Sequence, residues 1–466
     1  MTESAYLMSA KPHLKALIDA LDAYPYVSVL AQDTLAMQYS VSRAGTNVSE
    51  SGMFSKRGFV LRVHNGKGLA EYSFNEISAE TVPAIAAKAR SLAEGIRGND
   101  PVPTDEPARL SRALEYSVDP EALGCEEIVG RLTELRKKAL SMSELLLDVS
   151  VRLVWQKNHR LFLSRNRELS DDYLWTNGAI AAMAARGEEI KDYYKGFSGL
   201  CGAELLDEMT GGQSLDLVVE TVVALLDSQP IPPGEYDCVC SPETTGMIVH
   251  EAFGHGVEMD MFVKNRAQAK EFVGKRVASD LVNMRDGATS AEECASFLFD
   301  DEGTLGMDTR VIENGILVGG YADAVSAARL GVKPTGNGRR ESYERKAYTR
   351  MTNTFFEGGS DAVEDMIASI PYGFLLENPN SGMEDPKNWG IQCMVNIARE
   401  IKDGRLTGKI YSPIVLTGYV PDLLKSISMM SPVVELGGGG YCGKGYKEWV
   451  KVSDGGPYVK ARIRLG

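Results

Sequence analysis

Histidine is scarce in this chain of 466 residues: five are present, alongside four tryptophans. The seven cysteines are an odd number scattered along the chain. Such a set does not read as a disulfide framework, which excludes a small cysteine-stapled secreted scaffold. No apolar stretch approaches the roughly 20 residues that a membrane-spanning helix needs. The opening residues, Met1-Thr2-Glu3-Ser4-Ala5-Tyr6, lack a basic segment followed by an apolar one, so secretion is not expected and a cytoplasmic location is. Basic charge is also short. Lys and Arg number 50 against 64 Asp and Glu, a formal charge of −14. That excess repels phosphate unless basic residues cluster strongly, so no general nucleic-acid surface is expected. What remains is ordinary: 44% hydrophobic and 24% charged residues, enough chain for two or three domains with sizeable cores.

Two of the five histidines flank a glutamate in His250-Glu251-Ala252-Phe253-Gly254-His255, behind the apolar Met247-Ile248-Val249. Neutral imidazoles suit a borderline-soft divalent metal such as zinc, and a neighbouring carboxylate can take a proton from a water bound there. The spacing departs from the common zinc-protease pattern, in which histidines at i and i+4 lie about 40° apart around a helix. At i and i+5 a regular helix would splay them roughly 140° apart. Both reach one metal only if the backbone leaves the regular helix between them. Gly254, just before the second histidine, is where a π-bulge or helix end would cost least. A core helix ending in two ordinary polar residues would contain the same letters.

A catalytic zinc keeps three protein ligands and one open position. Gly437-Gly438-Gly439-Gly440-Tyr441-Cys442-Gly443-Lys444-Gly445 offers a thiolate on a backbone able to approach closely, with Lys444 available to lower the thiol pKa. Glu258 and Asp260, close to His255 in sequence, are rival ligands, and spacing does not choose among the three. A basic cluster, Arg339, Arg340, Arg345, Lys346 and Arg350, crowds Gly336-Asn337-Gly338. Arg339 and Arg340 could bind a substrate carboxylate or a tetrahedral oxyanion, with Tyr343 a further oxyanion candidate; salt bridging within an acidic protein is the alternative. His13, His64 and His159 read as structural or surface residues. Cys238 and Cys240, two apart in an apparent strand, share one face and read as packing.

Three regions follow one another, and the fold class read from them is α+β. The first, 1–98, alternates in Leu35–Val41 and Gly58–Val63, carries an Asn65-Gly66 hairpin signal, and continues into a helix from Ser78, as cap, to about Ala93. Gly98 to Pro107 is a linker by composition. The second, 111–228, opens on a helix near 121–141. Strands follow at Leu147–Leu153, Arg160–Ser164 and Ala179–Ala184 as an antiparallel meander, then a helix near 215–226. Pro230, Pro232 and Pro233 close it. The third, 235–466, is β-rich, with hairpin signals at Asn314-Gly315 and Asp403-Gly404, and carries the candidate chemistry.

Several long motifs in order extend the argument. The His250–Gly256 run, Pro334-Thr335-Gly336-Asn337-Gly338-Arg339-Arg340-Glu341-Ser342, Arg350-Met351-Thr352-Asn353-Thr354 and the Cys442-Gly443-Lys444 turn together resemble the TldD/TldE (PmbA) family, specifically its TldD-like, metal-bearing branch. That resemblance covers most of the chain and is densest from about Pro233 onward. It implies a zinc metallopeptidase with an α/β N-terminal part and a β-rich, metal-bearing C-terminal domain. It maps the zinc ligands onto His250, His255 and Cys442, with Glu251 as general base. It also implies a dimer, with a TldE-like partner subunit or a second copy, acting on peptides or unfolded polypeptide segments. The family has carried the label "modulator of DNA gyrase", but nothing in the residues suggests direct contact with DNA. Two other functions stay open: a zinc hydrolase of small amides, and a non-catalytic assembly protein whose metal is structural.

Overall fold

Apolar side chains recurring at every second position over much of three very long strands build the N-terminal half of the molecule. The computed structural model describes residues 4–211, 213–445 and 448–466. Its first sheet has eight strands: β1 (Tyr26–Ser42), β2 (Gly45–Glu50), β3 (Arg57–His64), β4 (Leu69–Phe74), β5 (Ala108–Ala113), β6 (Leu146–Ser164), β7 (Arg167–Arg186) and β8 (Glu189–Gly199). Their order is β4-β3-β1-β6-β7-β5, with β2 on β1 and β8 on β7. Strands from either side of the 98–107 segment therefore share one sheet, joined where β1 runs antiparallel to β6 from Ser28↔Ser164 to Val41↔Val151.

The period of two assigns the faces. Val27, Val29, Ala31, Phe59, Leu61, Leu161 and Leu163 point to one side, under the helices Ala5–Asp19 and Val82–Gly95. Farther along the same face, Tyr39, Val41, Val149, Val151, Leu153 and Ile180 meet the helices Cys125–Leu140 and Ser214–Leu225. The alternate residues Leu30, Val60 and Phe162 face the other way, against Phe299 of the C-terminal half.

Two expectations from the sequence change here. Leu147–Leu153 and Arg160–Ser164 are not separate strands but parts of β6, a continuous strand of 19 residues. The apolar row is interrupted by Lys157, paired with Asp119 and Glu121, and His159, paired with Asp172, while Gln156, Asn158 and Arg160 on the other face line a cavity against the C-terminal half; the strand itself continues. Ser78 is not the helix cap. The helix begins at Val82 behind Thr81, whose hydroxyl accepts the Ser78 amide at 2.8 Å. The Asn65-Gly66 turn joins β3 to β4.

In the C-terminal half the strands Tyr372–Asp385, Gly234–Cys240, Val459–Leu465, Ile414–Tyr419 and Gly390–Lys402 pair in that order. The last also pairs with the first, closing a ring. Cys238, Cys240, Phe374, Leu376, Cys393, Val395, Leu416 and Ile463 fill its core. Asp403-Gly404, both at positive φ, turn the hairpin between Gly390–Lys402 and Arg405–Tyr411. A six-stranded sheet lies beside the ring and runs from Ile316–Leu317 through Thr309–Glu313, Met284–Asp286, Asn353–Phe356 and Ser453–Gly456 to Glu435–Gly437. Helices and strands mix throughout, so the fold is α+β. No helix among the described residues is long and apolar enough to cross a membrane.

Candidate metal centre

The strand Gly234–Cys240 leads into a helix whose first turn is set by Ser241 and Pro242. The Ser241 hydroxyl accepts the Thr244 amide, and proline supplies the preset φ of the first helical turn. The helix is regular only to Met247. From Ile248 to Gly254 it is a π-helix, and His255–Val257 form a 3-10 turn. In a helix closed by i→i+5 bonds, residues five apart sit one above the other, which is the departure that the spacing of His250 and His255 requires. Gly254 permits it. A Cβ there would lie 2.4 Å from Met351 Sδ and 3.1 Å from the Val249 carbonyl oxygen. The Tyr321 hydroxyl donates to the Gly254 carbonyl and fixes the end of the π-turn.

The two imidazoles then stand perpendicular, ring centres 5.2 Å apart. The third group comes from a two-stranded ribbon, Tyr441–Lys444 paired with Glu448–Lys451. Cys442 Sγ lies 3.6 Å from His255 Nε2, and one donor atom from each of His250, His255 and Cys442 falls within 4.8 Å of the others. Burial alone would raise the thiol pKa, but His255 and His250 pull it well below its ordinary value. Burial lowers and the Cys442 thiolate raises the His255 imidazole, with a net shift well upward. Two imidazole nitrogens and a thiolate drawn toward opposite charges around one point form the donor set that a divalent, borderline-soft cation satisfies in place of protons.

The rival carboxylates are engaged by the lysine of the ribbon. Lys444 Nζ donates to Glu258 Oε2 and Asp260 Oδ1, each at 2.7 Å, and to the Thr349 carbonyl at 3.0 Å. Glu258 is buried and Lys444 and His255 hold its carboxyl down to about 2 against the cost of burial. Its Oε2 lies 3.6 Å from His255 Nδ1, on the ring nitrogen turned away from Cys442. Asp454 Oδ2 stands in the same relation to His250, 3.7 Å from Nδ1. Both separations exceed a hydrogen bond, and His250 Nδ1 has no partner among the described residues; a carboxylate that closes onto the outer nitrogen of a ligating histidine fixes its tautomer and ring orientation.

The Glu251 carboxylate takes part in no hydrogen bond among the described residues. Oε2 is 3.8 Å from His255 Nε2, and the side chain remains 29% exposed. Its base runs along the ring strand so closely that a Cβ at Gly382 would lie 2.6 Å from Glu251 Cβ. Glycine at 382 is thus required by the catalytic candidate across from it.

The remaining sequence candidates are placed elsewhere. Arg340 pairs with Glu71 at 3.0 Å and donates to the Arg345 carbonyl. Tyr343 packs its ring over Gly58 of β3, and its carbonyl accepts the Ser73 hydroxyl. Arg339 donates to the Met351 carbonyl at 2.6 Å and lies over Phe297. None of the three joins the His250–His255–Cys442 group. His64 and His159 serve local bonds, to the Asp100 carbonyl and the Asp172 carboxylate. One contributor carried no local signal in the sequence: Asp454 lies some two hundred residues beyond His250. Arg350, a member of the basic cluster, acts through the backbone. The guanidinium of Arg350, almost wholly buried, donates to the carbonyls of Cys442 and Glu448, one on each strand of the ribbon.

The chain is similar to known metalloproteases. Residues 233–463 match the PmbA/TldA metallopeptidase C-terminal domain. A metalloprotease of Methanocaldococcus jannaschii is 34% identical over 249 residues, 53% of this chain and 54% of that protein, so the match spans about half the relative's length. A metalloprotease of Methanothermobacter thermautotrophicus is 26% identical over 93% of this chain and 96% of its own. A zinc metalloprotease TldD homologue of Saccharolobus solfataricus is 26% identical over 73% and 76%. Among solved structures, a Thermotoga maritima protein described as a modulator of a DNA gyrase superposes with a TM-score of 0.81, at 16% identity, over 99% of this chain and all of its own. TldE of Thermococcus kodakarensis gives 0.77 at 17% identity, over 97% and 100%. At these identities the two structures speak for the fold.

Proposed function

The chain belongs to the PmbA/TldD metallopeptidase family, and from that premise we propose that it is a zinc-dependent peptidase of the TldD-like, metal-bearing branch. The observation that carries this reading is the convergence of His250, His255 and Cys442 donor atoms within 4.8 Å beside an unengaged Glu251. A zinc ion held by these three residues would supply a Lewis acid with one position open to substrate or water.

The other parts are the chain's own. Glu258 and Asp454 orient the imidazoles from behind. Arg350 fixes the ribbon that presents Cys442. Glu251 is placed to accept a proton from an attacking water on the open side and to return it to the departing amine. The strand Glu435–Gly437, last in its sheet, lies next to Ser453–Gly456, which carries Asp454. An extended peptide laid along such an edge is held by backbone hydrogen bonds, a mode that reads little sequence and suits unfolded segments. A TldE-like subunit or a second copy of this chain is the partner we propose.

The test is metal content by mass spectrometry of the purified chain beside Cys442→Ser and His255→Ala, followed by cleavage of peptides of several lengths. Near-stoichiometric zinc in the parent, lost in both variants, with cleavage of peptides, is the expected result. Zinc retained in Cys442→Ser would move the third ligand to a carboxylate. Hydrolysis restricted to small amides would replace the peptidase reading.

A further inference from the structure

The ribbon that carries Cys442 has a second face. In the antiparallel pair, Cys442 stands opposite Val450, and Tyr441 opposite Lys451. Alternation sends Cys442 toward the imidazoles and Tyr441 with Lys451 the other way. There they close a cavity of about 90 Å³ against the inner face of β1, β6 and β7. Its walls are aromatic. Phe54 stacks on Tyr441 with ring centres 4.7 Å apart, and Trp175 meets Tyr441 edge-on at 6.1 Å.

Four buried cations reach this space, and they fall into two kinds. Arg160 and Arg340 are paired, with Asp301 at 2.6 Å and Glu71 at 3.0 Å. Arg339 and Lys451, 9% and 8% exposed, have no carboxylate of the described residues within ion-pair distance. Arg339 has the Met351 carbonyl and the face of Phe297. Lys451 has the amide oxygen of Asn177 and lies 4.6 Å from the Trp175 ring centre and 4.4 Å from that of Tyr441. Buried charge is ordinarily paired, because desolvation costs more than neutral partners return. Here burial pushes Lys451 down to about 8 and Arg339 to about 10.

The carboxylates on the same walls do not supply the missing partner. Asp301 is held by Arg160 and by the Arg340 amide. Asp300 accepts the amides of Gly338, Glu302 and Thr304, and burial next to Glu302 pushes its carboxyl upward. Glu341 accepts the Trp449 amide and lies 3.6 Å from Arg345.

We propose that this cavity is a binding site for a small carboxylate, received by Arg339 and Lys451 between the aromatic walls on the face of the ribbon opposite the metal centre. A planar guanidinium presents paired N–H donors that match a carboxylate, and a lysine adds a point charge. The cavity holds several water-sized groups, at roughly 10–15 Å³ each, which limits the ligand to a few heavy atoms around the carboxylate. Tyr441 and Val450 are the chain neighbours of Cys442 and Lys451, so an anion held here fastens the metal-bearing ribbon to the N-terminal sheet. Two sources share this chemistry: a free organic acid and the C-terminal end of a short peptide. The site stands apart from the peptidase reading, and its test does not use catalysis.

The experiment is calorimetric titration and thermal unfolding of the zinc-loaded full chain with sodium acetate, Ala-Ala and Ala-Ala amide, against sodium chloride at matched ionic strength. Acetate and Ala-Ala should bind and raise the unfolding midpoint, while the amide and chloride should not. Arg339→Met and Lys451→Met should each weaken binding roughly tenfold, the loss of one charged hydrogen bond. The double variant should not bind, yet should unfold no earlier than the parent in chloride, because it removes uncompensated charge. Should methionine at 339 prevent folding, Lys451→Met alone carries the comparison. Equal affinity for acetate and Ala-Ala assigns the site to free acids; preference for Ala-Ala assigns it to peptide ends. An acetate shift no larger than that of chloride, or one surviving in Lys451→Met and the double variant, overturns the proposal.

Discussion

The N-terminal sheet and the metal-bearing ribbon are both antiparallel β-structure, and they are built on opposite economies. β1, β6 and β7 run for 17, 19 and 20 residues, and each turns a mostly apolar face to the helices that cover the sheet. The ribbon strands have four residues each. They are held by Arg350 on two carbonyls and by Lys444 on two carboxylates. Long regular pairing gives a rigid wall whose stability is spread over many similar contacts. Short pairing fixed by buried charge gives a few atoms a defined position, with little redundancy. Substitutions should therefore act on stability in the first region and on chemistry in the second.

The comparison is sharpest at Glu251. Glu251→Ala should lower peptide hydrolysis by on the order of 10²–10⁴-fold, as loss of a general acid–base group does, while zinc content and unfolding midpoint stay unchanged. Activity near that of the parent would remove the base assignment. In the sheet the reverse is expected. Leu153 is wholly buried beneath helix 125–140, and Leu153→Ala should cost about 2–5 kcal/mol in urea unfolding with little change in turnover per folded, zinc-loaded molecule. A comparable loss of turnover in the folded protein would break the contrast.

Glu258→Gln tests the chemistry from behind His255. It should weaken zinc affinity roughly 10–100-fold, measured by competition with a chelator, with the circular dichroism spectrum retained. Lys451 carries a pH test of the same comparison. Its folded pKa, about 8, lies below the ordinary 10.5, so the unfolded chain binds more protons between those values. Stability should then rise with pH from about 8 to 10.5 by about 3 kcal/mol. Lys451→Met should be flat across that window, and a parent equally flat would show that the amine carries no burial penalty.

Legibility followed the same division. The faces of the sheet could be read from alternation, because burial on one side and exposure or contact on the other repeats every two residues. It failed at Lys157 and His159, polar residues on the covered face whose partners, Asp119, Glu121 and Asp172, come from elsewhere in the chain. Sequence-adjacent Arg339, Arg340 and Tyr343 read as one functional cluster, yet Arg339 and Arg340 reach a cavity away from the metal group, the latter paired with Glu71, and Tyr343 packs over Gly58. Adjacency in a loop sets no direction for side chains.

The amino-acid sequence by itself determined the donor types, the glutamate between two histidines, and the need for a widened helical turn. Those follow from local geometry, since five residues and a glycine define how far a backbone must depart from a regular helix. Only the tertiary structure decided which distant group meets the imidazoles. It set Cys442 Sγ 3.6 Å from His255 across 187 residues of chain, and gave Glu258 and Asp260 to Lys444. The physical reason is that a carboxylate near a histidine in sequence becomes a ligand or an ion-pair partner according to what packs beside it. That neighbour is supplied by a ribbon whose position depends on the whole fold.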